Sequence, residues 1–149
     1  MRFDGKISLV TGAGSGIGRA VAIGFARLGG KVAVVDVDRD NATTVAAAIH
    51  AAGGAAIAIA ADLTKPPEIE AMITQTLDAF GRLDVLHNNA FGVPSSLQKG
   101  RMAPVAEIDD DVWNYTLQVG LTAVMQATRR VLPVMQKQGG GAIINTASI

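Results

Sequence analysis

Cysteine is absent, aromatic residues make up only 4% of the chain, and 13 basic residues are cancelled by 13 acidic ones. Without cysteine there is no disulfide framework, no thiolate nucleophile and no cysteine-based metal site. With a net charge of zero, no global field draws in nucleic acid or an anionic membrane, so neither is expected as a partner. The two histidines, His50 and His87, lie too far apart for a local metal motif; a surface helix position and a strand end suit them better, and no metal is expected. Glycine or charge breaks every apolar run before membrane length, and Met1-Arg2-Phe3-Asp4-Gly5-Lys6 leads straight into a strand-like run. A soluble, cytoplasmic protein is the expectation.

What is abundant is small and apolar: 49% hydrophobic residues and 17 glycines in 149 positions. That length suits one domain with a real core, here residues 1–149, and is short for two. The composition suits an α/β protein with buried parallel strands. Its organising stretch is Thr11-Gly12-Ala13-Gly14-Ser15-Gly16-Ile17-Gly18, which joins a strand-like run to a helix-like run through four glycines. Such a turn lets backbone approach a phosphate, and the following helix points unpaired N–H groups and its positive dipole end at the charge. Gly12, Gly16 and Gly18 fit Gly-x-x-x-Gly-x-Gly; neither Gly-x-Gly-x-x-Gly nor a Walker loop fits. Taken alone, the stretch is also compatible with a tight loop between two core elements.

Along the chain, strands are expected at 6–11, 31–36, 55–61, 83–87 and 142–148. Helices are expected at 17–28, at 41–52 with Asp40 and Asn41 as caps, from Pro66-Pro67 to Phe80, and from Asp109 to Gln138 with a kink at Pro133. The longest loop, 91–107, follows the fourth strand. Five strands alternating with four helices predict a doubly wound parallel sheet, Rossmann-like and incomplete at its carboxyl-terminal side. Asp36, at the end of the second strand and eighteen positions after Gly18, stands where a dinucleotide fold needs a carboxylate for the adenosine ribose hydroxyls. It would repel a ribose 2′-phosphate, which favours NAD over NADP; Arg39 is the one nearby group that softens that preference.

Together, Thr11-Gly12-x-x-x-Gly16-Ile17-Gly18, Asp36, Asp62-Leu63, Asn88-Asn89-Ala90 and Ile143-Ile144-Asn145-Thr146-Ala147-Ser148 resemble the short-chain dehydrogenase/reductase family, in order and spacing, over essentially the whole chain. The resemblance implies an NAD-dependent oxidoreductase interconverting a small-molecule alcohol and ketone, in a homo-oligomer, dimer or tetramer. It implies that Thr11, Gly12, Ser15, Gly16, Ile17 and Gly18 hold the cofactor pyrophosphate and neighbouring ribose, that Asp62 and the backbone of Leu63 contact the adenine, and that Asn89 and Ala90 pass beside the adenosine ribose. Ser148 falls where the family keeps the serine that hydrogen-bonds the substrate carbonyl. Asn88 and Asn89 are equally suited to satisfying backbone groups at a strand end.

Two positions depart from the family. Its relay asparagine on the long helix corresponds to Gly120, which has no side chain to hold a water. Its catalytic tyrosine, with a lysine four residues later, has no counterpart within these residues, since the lone tyrosine is Tyr115 and Val119 stands four positions on. The 149 residues are therefore expected to supply the cofactor site, without turnover of their own, of a chain truncated after its fifth strand. The competing reading is a catalytically inactive NAD-binding module or partner subunit. A methyltransferase on the same topology is disfavoured, because Val10 and Thr11 stand where an acid is usual.

Overall fold

A computed structural model describes residues 2–92 and 104–147. Five parallel strands form one sheet: β1 (Ile7–Thr11), β2 (Lys31–Asp36), β3 (Ala55–Ala60), β4 (Val85–Asn88) and β5 (Ala142–Asn145), in the order β3-β2-β1-β4-β5. The helices are α1 (Gly16–Arg27), α2 (Arg39–Ala51), α3 (Pro66–Phe80), α4 (Asp110–Leu117) and α5 (Ala123–Lys137). The doubly wound, Rossmann-like sheet is as expected.

Strand alternation builds the two layers of core. In β1, Leu9 packs with Met72 of α3 and Val131 of α5, while its neighbour Val10 packs with Ala22 of α1 and Ile49 of α2 on the opposite face. In β2, Ala33 and Val35 join the first group, and Val32 and Val34 join the second. A parallel strand covered on both faces must be apolar throughout, which is why these runs carry no polar alternation. At the amino-terminal edge Asp84 is nearly buried, and its carboxylate accepts from Ile7 N at 3.0 Å, Arg82 Nη2 at 2.6 Å and Lys6 Nζ at 3.3 Å. Burial raises its pKa, but these donors outweigh burial and hold it below the ordinary carboxylate value.

Two details differ from the sequence reading. Helix α2 is capped by Asp38, whose Oδ1 accepts from Asp40 N at 2.9 Å and Asn41 N at 3.1 Å, so Asp40 and Asn41 are the capped residues rather than the caps. The chain leaving β2 decides this, because Asp36 Oδ1 accepts from Asp38 N at 3.0 Å and holds Asp38 where its side chain meets the helix start. The long segment is also not one α-helix: a π-helical turn at Gln118–Thr122 separates α4 from α5, and Pro133 lies within α5. The break falls at Gly120, where no side chain opposes the wider turn. Of the long loop after β4, residues 93–103 lie outside the described residues.

Candidate functional site

The strand order reverses at β1, so the loops leaving β1 and β4 diverge and open a crevice at the carboxyl ends of the strands. A cleft of about 830 Å³ fills it. Thr11, Gly12, Ser15, Gly16, Ile17, Asp36, Asp62, Leu63, Asn89 and Ala90 all line it, as do Tyr115, Phe91, Gly120, Thr146 and Ala147. Gly18 lies beneath this lining, and Ser148 lies outside the described residues.

Close approach explains the glycines. Gly12 has φ +62°, and a Cβ there would come within 2.8 Å of Ala90 Cα. A Cβ on Gly18 would strike the Gly12 carbonyl oxygen and come within 2.6 Å of Asn89 Nδ2. The glycine turn is thus pressed against the exit of β4 with no room for a methyl. Helix α1 begins at Gly16 with no side-chain cap from Ser15 and no acid in its first turn. Its first N–H groups have no intrahelical acceptor, and they leave a positive, donor-rich rim at the cleft. Absent side chains and free donors together fit a phosphate-bearing group.

Thr11 ties the two loops together. Its buried hydroxyl accepts from Asn89 N at 3.0 Å and Ala90 N at 3.1 Å, and it donates to His87 O at 3.4 Å. Asn89 Nδ2 returns the link by donating to the Thr11 and Gly12 carbonyls at 3.1 and 3.4 Å. On the far side, Asn88 Nδ2 donates to Asn145 Oδ1 at 2.9 Å and joins β4 to β5. His87 Nε2 lies 2.9 Å from Thr146 Oγ1, which donates to Asn89 Oδ1 at 3.4 Å. With the threonine proton so used, the histidine is the donor, and buried Nδ1 has no partner among the described residues. Burial holds the His87 pKa below its ordinary value.

The acids occupy the other end. Asp36 Oδ2 accepts from Gly14 N at 2.8 Å, and a Cβ on Gly14 would come within 2.8 Å of that oxygen. Gly14 is therefore a site residue that sequence spacing overlooks; its only signal is a fourth glycine in the run. Each Asp36 oxygen takes one backbone donor from the chain and retains capacity for another. Asp62 Oδ1 accepts from Thr64 N at 2.9 Å and Thr64 Oγ1 at 2.7 Å, with Lys65 Nζ 3.4 Å from Oδ2. Burial raises the Asp62 pKa, but Thr64 and Lys65 outweigh burial and keep it ionised below the usual range. Burial first, and then the charge of Asp62, raise the Tyr115 pKa, so its phenol stays protonated.

A Rossmann-like sheet with a glycine cradle at its switch point defines a class of protein, and comparison narrows it. The family model for short chain dehydrogenase matches residues 6–149. An uncharacterized oxidoreductase of Thermotoga maritima is 36% identical over 99% of this chain and 55% of its own length, and the D-threitol dehydrogenase of Mycolicibacterium smegmatis is 37% identical over 99% and 54%. A short chain dehydrogenase/reductase from Burkholderia phymatum, solved in complex with NAD, superposes with a TM-score of 0.90 at 34% identity, covering 99% of this chain and 50% of that one. The chain belongs to the short-chain dehydrogenase family, whose matched members are oxidoreductases. It spans about half the length of the curated relatives it matches. Among the described residues, no group of three or more histidine, aspartate or glutamate side chains could hold a metal, and no helix is long and apolar enough to cross a membrane.

Proposed function

We propose that the cleft binds NAD and that the chain is the cofactor-binding half of an oxidoreductase that interconverts a small-molecule alcohol and ketone. The observation that carries this reading is the Asp36 carboxylate, which faces the cleft at the end of β2 with one backbone donor on each oxygen. Its remaining acceptor capacity suits the two adenosine ribose hydroxyls, and its charge opposes a 2′-phosphate. Gly12, Ser15, Gly16, Ile17 and Gly18 would hold the pyrophosphate and neighbouring ribose. Asp62 and Leu63 would flank the adenine, and Asn89 and Ala90 would hold the β4 exit against the glycine turn beside the bound dinucleotide. The bound dinucleotide supplies a hydride acceptor or donor at nicotinamide C4. In this scheme Ser148, two residues beyond Thr146, orients the substrate carbonyl, and the proton donor is not among these 149 residues. A homo-oligomer fits the exposed apolar Trp113 of α4 and Met125 of α5, which lie outside the cleft lining and which a second copy would cover.

Titration with NAD and NADP tests the reading. The unaltered protein is expected to prefer NAD, and Asp36→Ala is expected to weaken NAD by at least about tenfold, the scale of one hydrogen bond to a charged acceptor, while narrowing the gap to NADP. A preference for NADP in the unaltered protein would refute it. The bare wall at Gly120 favours a second reading, a binding module without catalysis. Hydride transfer from bound NADH to a ketone in a single-turnover mixture, followed at the nicotinamide absorbance, would eliminate that alternative.

A further inference from the structure

Phe91 lines the cleft, yet it is 70% exposed. An open phenylalanine face inside a pocket is apolar area that a bound ring gains by covering. The ring is not poised over empty space. A Cβ added to Gly120 would lie 3.6 Å from its Cδ2 and 3.7 Å from its Cε2, so a methyl there would just touch the ring edge, which faces the π-helical turn. A side chain longer than a methyl at position 120, extended toward the ring, would enter the volume that the ring occupies. The two positions divide one space, with the small residue on the helix and the large one on the strand exit.

The sheet order says which part of a ligand meets this ring. Asp36 ends β2, the glycine turn follows β1, Phe91 follows β4 and Thr146 follows β5, in the lateral order β2-β1-β4-β5. A dinucleotide with its adenosine ribose at Asp36 and its pyrophosphate at the glycine turn must lay its other half over β4 and β5. We propose that Phe91, facing the small residue Gly120, is the platform on which the nicotinamide ring rests and a determinant of affinity for that half of the cofactor. This inference depends on the dinucleotide reading above.

The test compares NADH with ADP-ribose, which lacks the nicotinamide ring, by fluorescence and calorimetric titration of the full-length protein. Phe91→Ala is expected to weaken NADH roughly three- to tenfold, the range of one offset aromatic pair, and to leave ADP-ribose within about twofold. Phe91→Tyr is expected to retain NADH affinity, whereas Phe91→Leu, apolar but without a ring, is expected to lose it as the alanine does. Gly120→Asn, whose side chain extended toward the ring would displace it, is expected to cause the same selective loss. Equal weakening of both ligands by Phe91→Ala and Phe91→Leu, or no weakening of either, overturns the platform while leaving the dinucleotide site standing. Failure of the unaltered protein to bind either ligand overturns both.

Discussion

Replacing Thr11 by valine isolates the hydroxyl that joins the glycine turn to the exit of β4. Valine keeps the branched shape and strand preference of threonine, so the packing around this buried position changes little. What disappears is one oxygen that accepts from both Asn89 N and Ala90 N. Each amide left without an acceptor costs about 1–3 kcal/mol when buried, and since water can partly reach these half-buried groups the sum is set at about 2–4 kcal/mol. That is a large share of the roughly 5–15 kcal/mol that holds a domain together. Thr11→Ser keeps the oxygen and removes only a methyl, at a cost of about 1 kcal/mol. Urea unfolding at neutral pH reads both, and the valine midpoint should fall well below the serine midpoint at similar m-values. Dinucleotide affinity should fall in the same order, because Ala90 and Phe91 are then no longer held against the turn. A valine variant as stable as the unaltered protein, or more stable than the serine variant, would show that the shared hydroxyl does not organise the site.

Two further outcomes rest on the same region. The folded His87 has a pKa below its ordinary 6.5, so below that pH the unfolded chain takes up the proton first. The stability contributed by neutral His87 is therefore complete above about pH 6.5 and is lost as the pH falls toward the folded pKa. His87→Gln, which keeps a donor for Thr146 but cannot titrate, should flatten the unfolding midpoint below about pH 6.5 relative to the unaltered protein; identical profiles would exclude His87 as the source. Gly18→Ala should destabilise by about 1–3 kcal/mol, because its methyl meets the Gly12 carbonyl and the Asn89 amide. Gly24→Ala, in the same helix with nothing within 4 Å, should instead stabilise by about 0.4–1 kcal/mol. Thermal melts that rank the two variants alike would contradict the close-packed reading of the turn.

Strands β1 and β2 are legible in the sequence because they are buried on both faces, so their local apolar runs already contain the answer. The capping of α2 is not, because Asp38, Asp40 and Asn41 are all chemically able caps, and the choice falls to a hydrogen bond from Asp38 N to Asp36 at the end of the preceding strand. Gly14 is hidden for a related reason: its value lies in an N–H offered to Asp36, twenty-two positions later. The π-helical turn escapes periodicity altogether. Buried Val119, Ala123, Ala127, Val131 and Met135 recur every four residues across it, a rhythm that reads as an uninterrupted helix.

Gly120 shows how a departure from a family pattern changes meaning once its neighbours are known. Read along the chain, it is a deletion: the position implied for a relay asparagine has no polar group, and a water loses its holder. Placed in the fold, it is one side of a contact whose other side is Phe91. An asparagine at position 120 that extended toward the ring would meet an aromatic edge rather than a polar partner. Beyond the glycine turn the cleft wall carries the hydroxyls of Tyr115, Thr116 and Thr146, and that of Thr116 already donates to Val112 O at 2.7 Å. Tyr115, whose pKa burial and then the charge of Asp62 raise, lies on the Asp62 side of the cleft. Thr146 instead stands at the end of β5, already hydrogen-bonded to both His87 and Asn89. If Phe91 carries the nicotinamide ring as proposed, the small residue at position 120 and the large one at position 91 favour affinity for the cofactor over a polar group at this point of the wall.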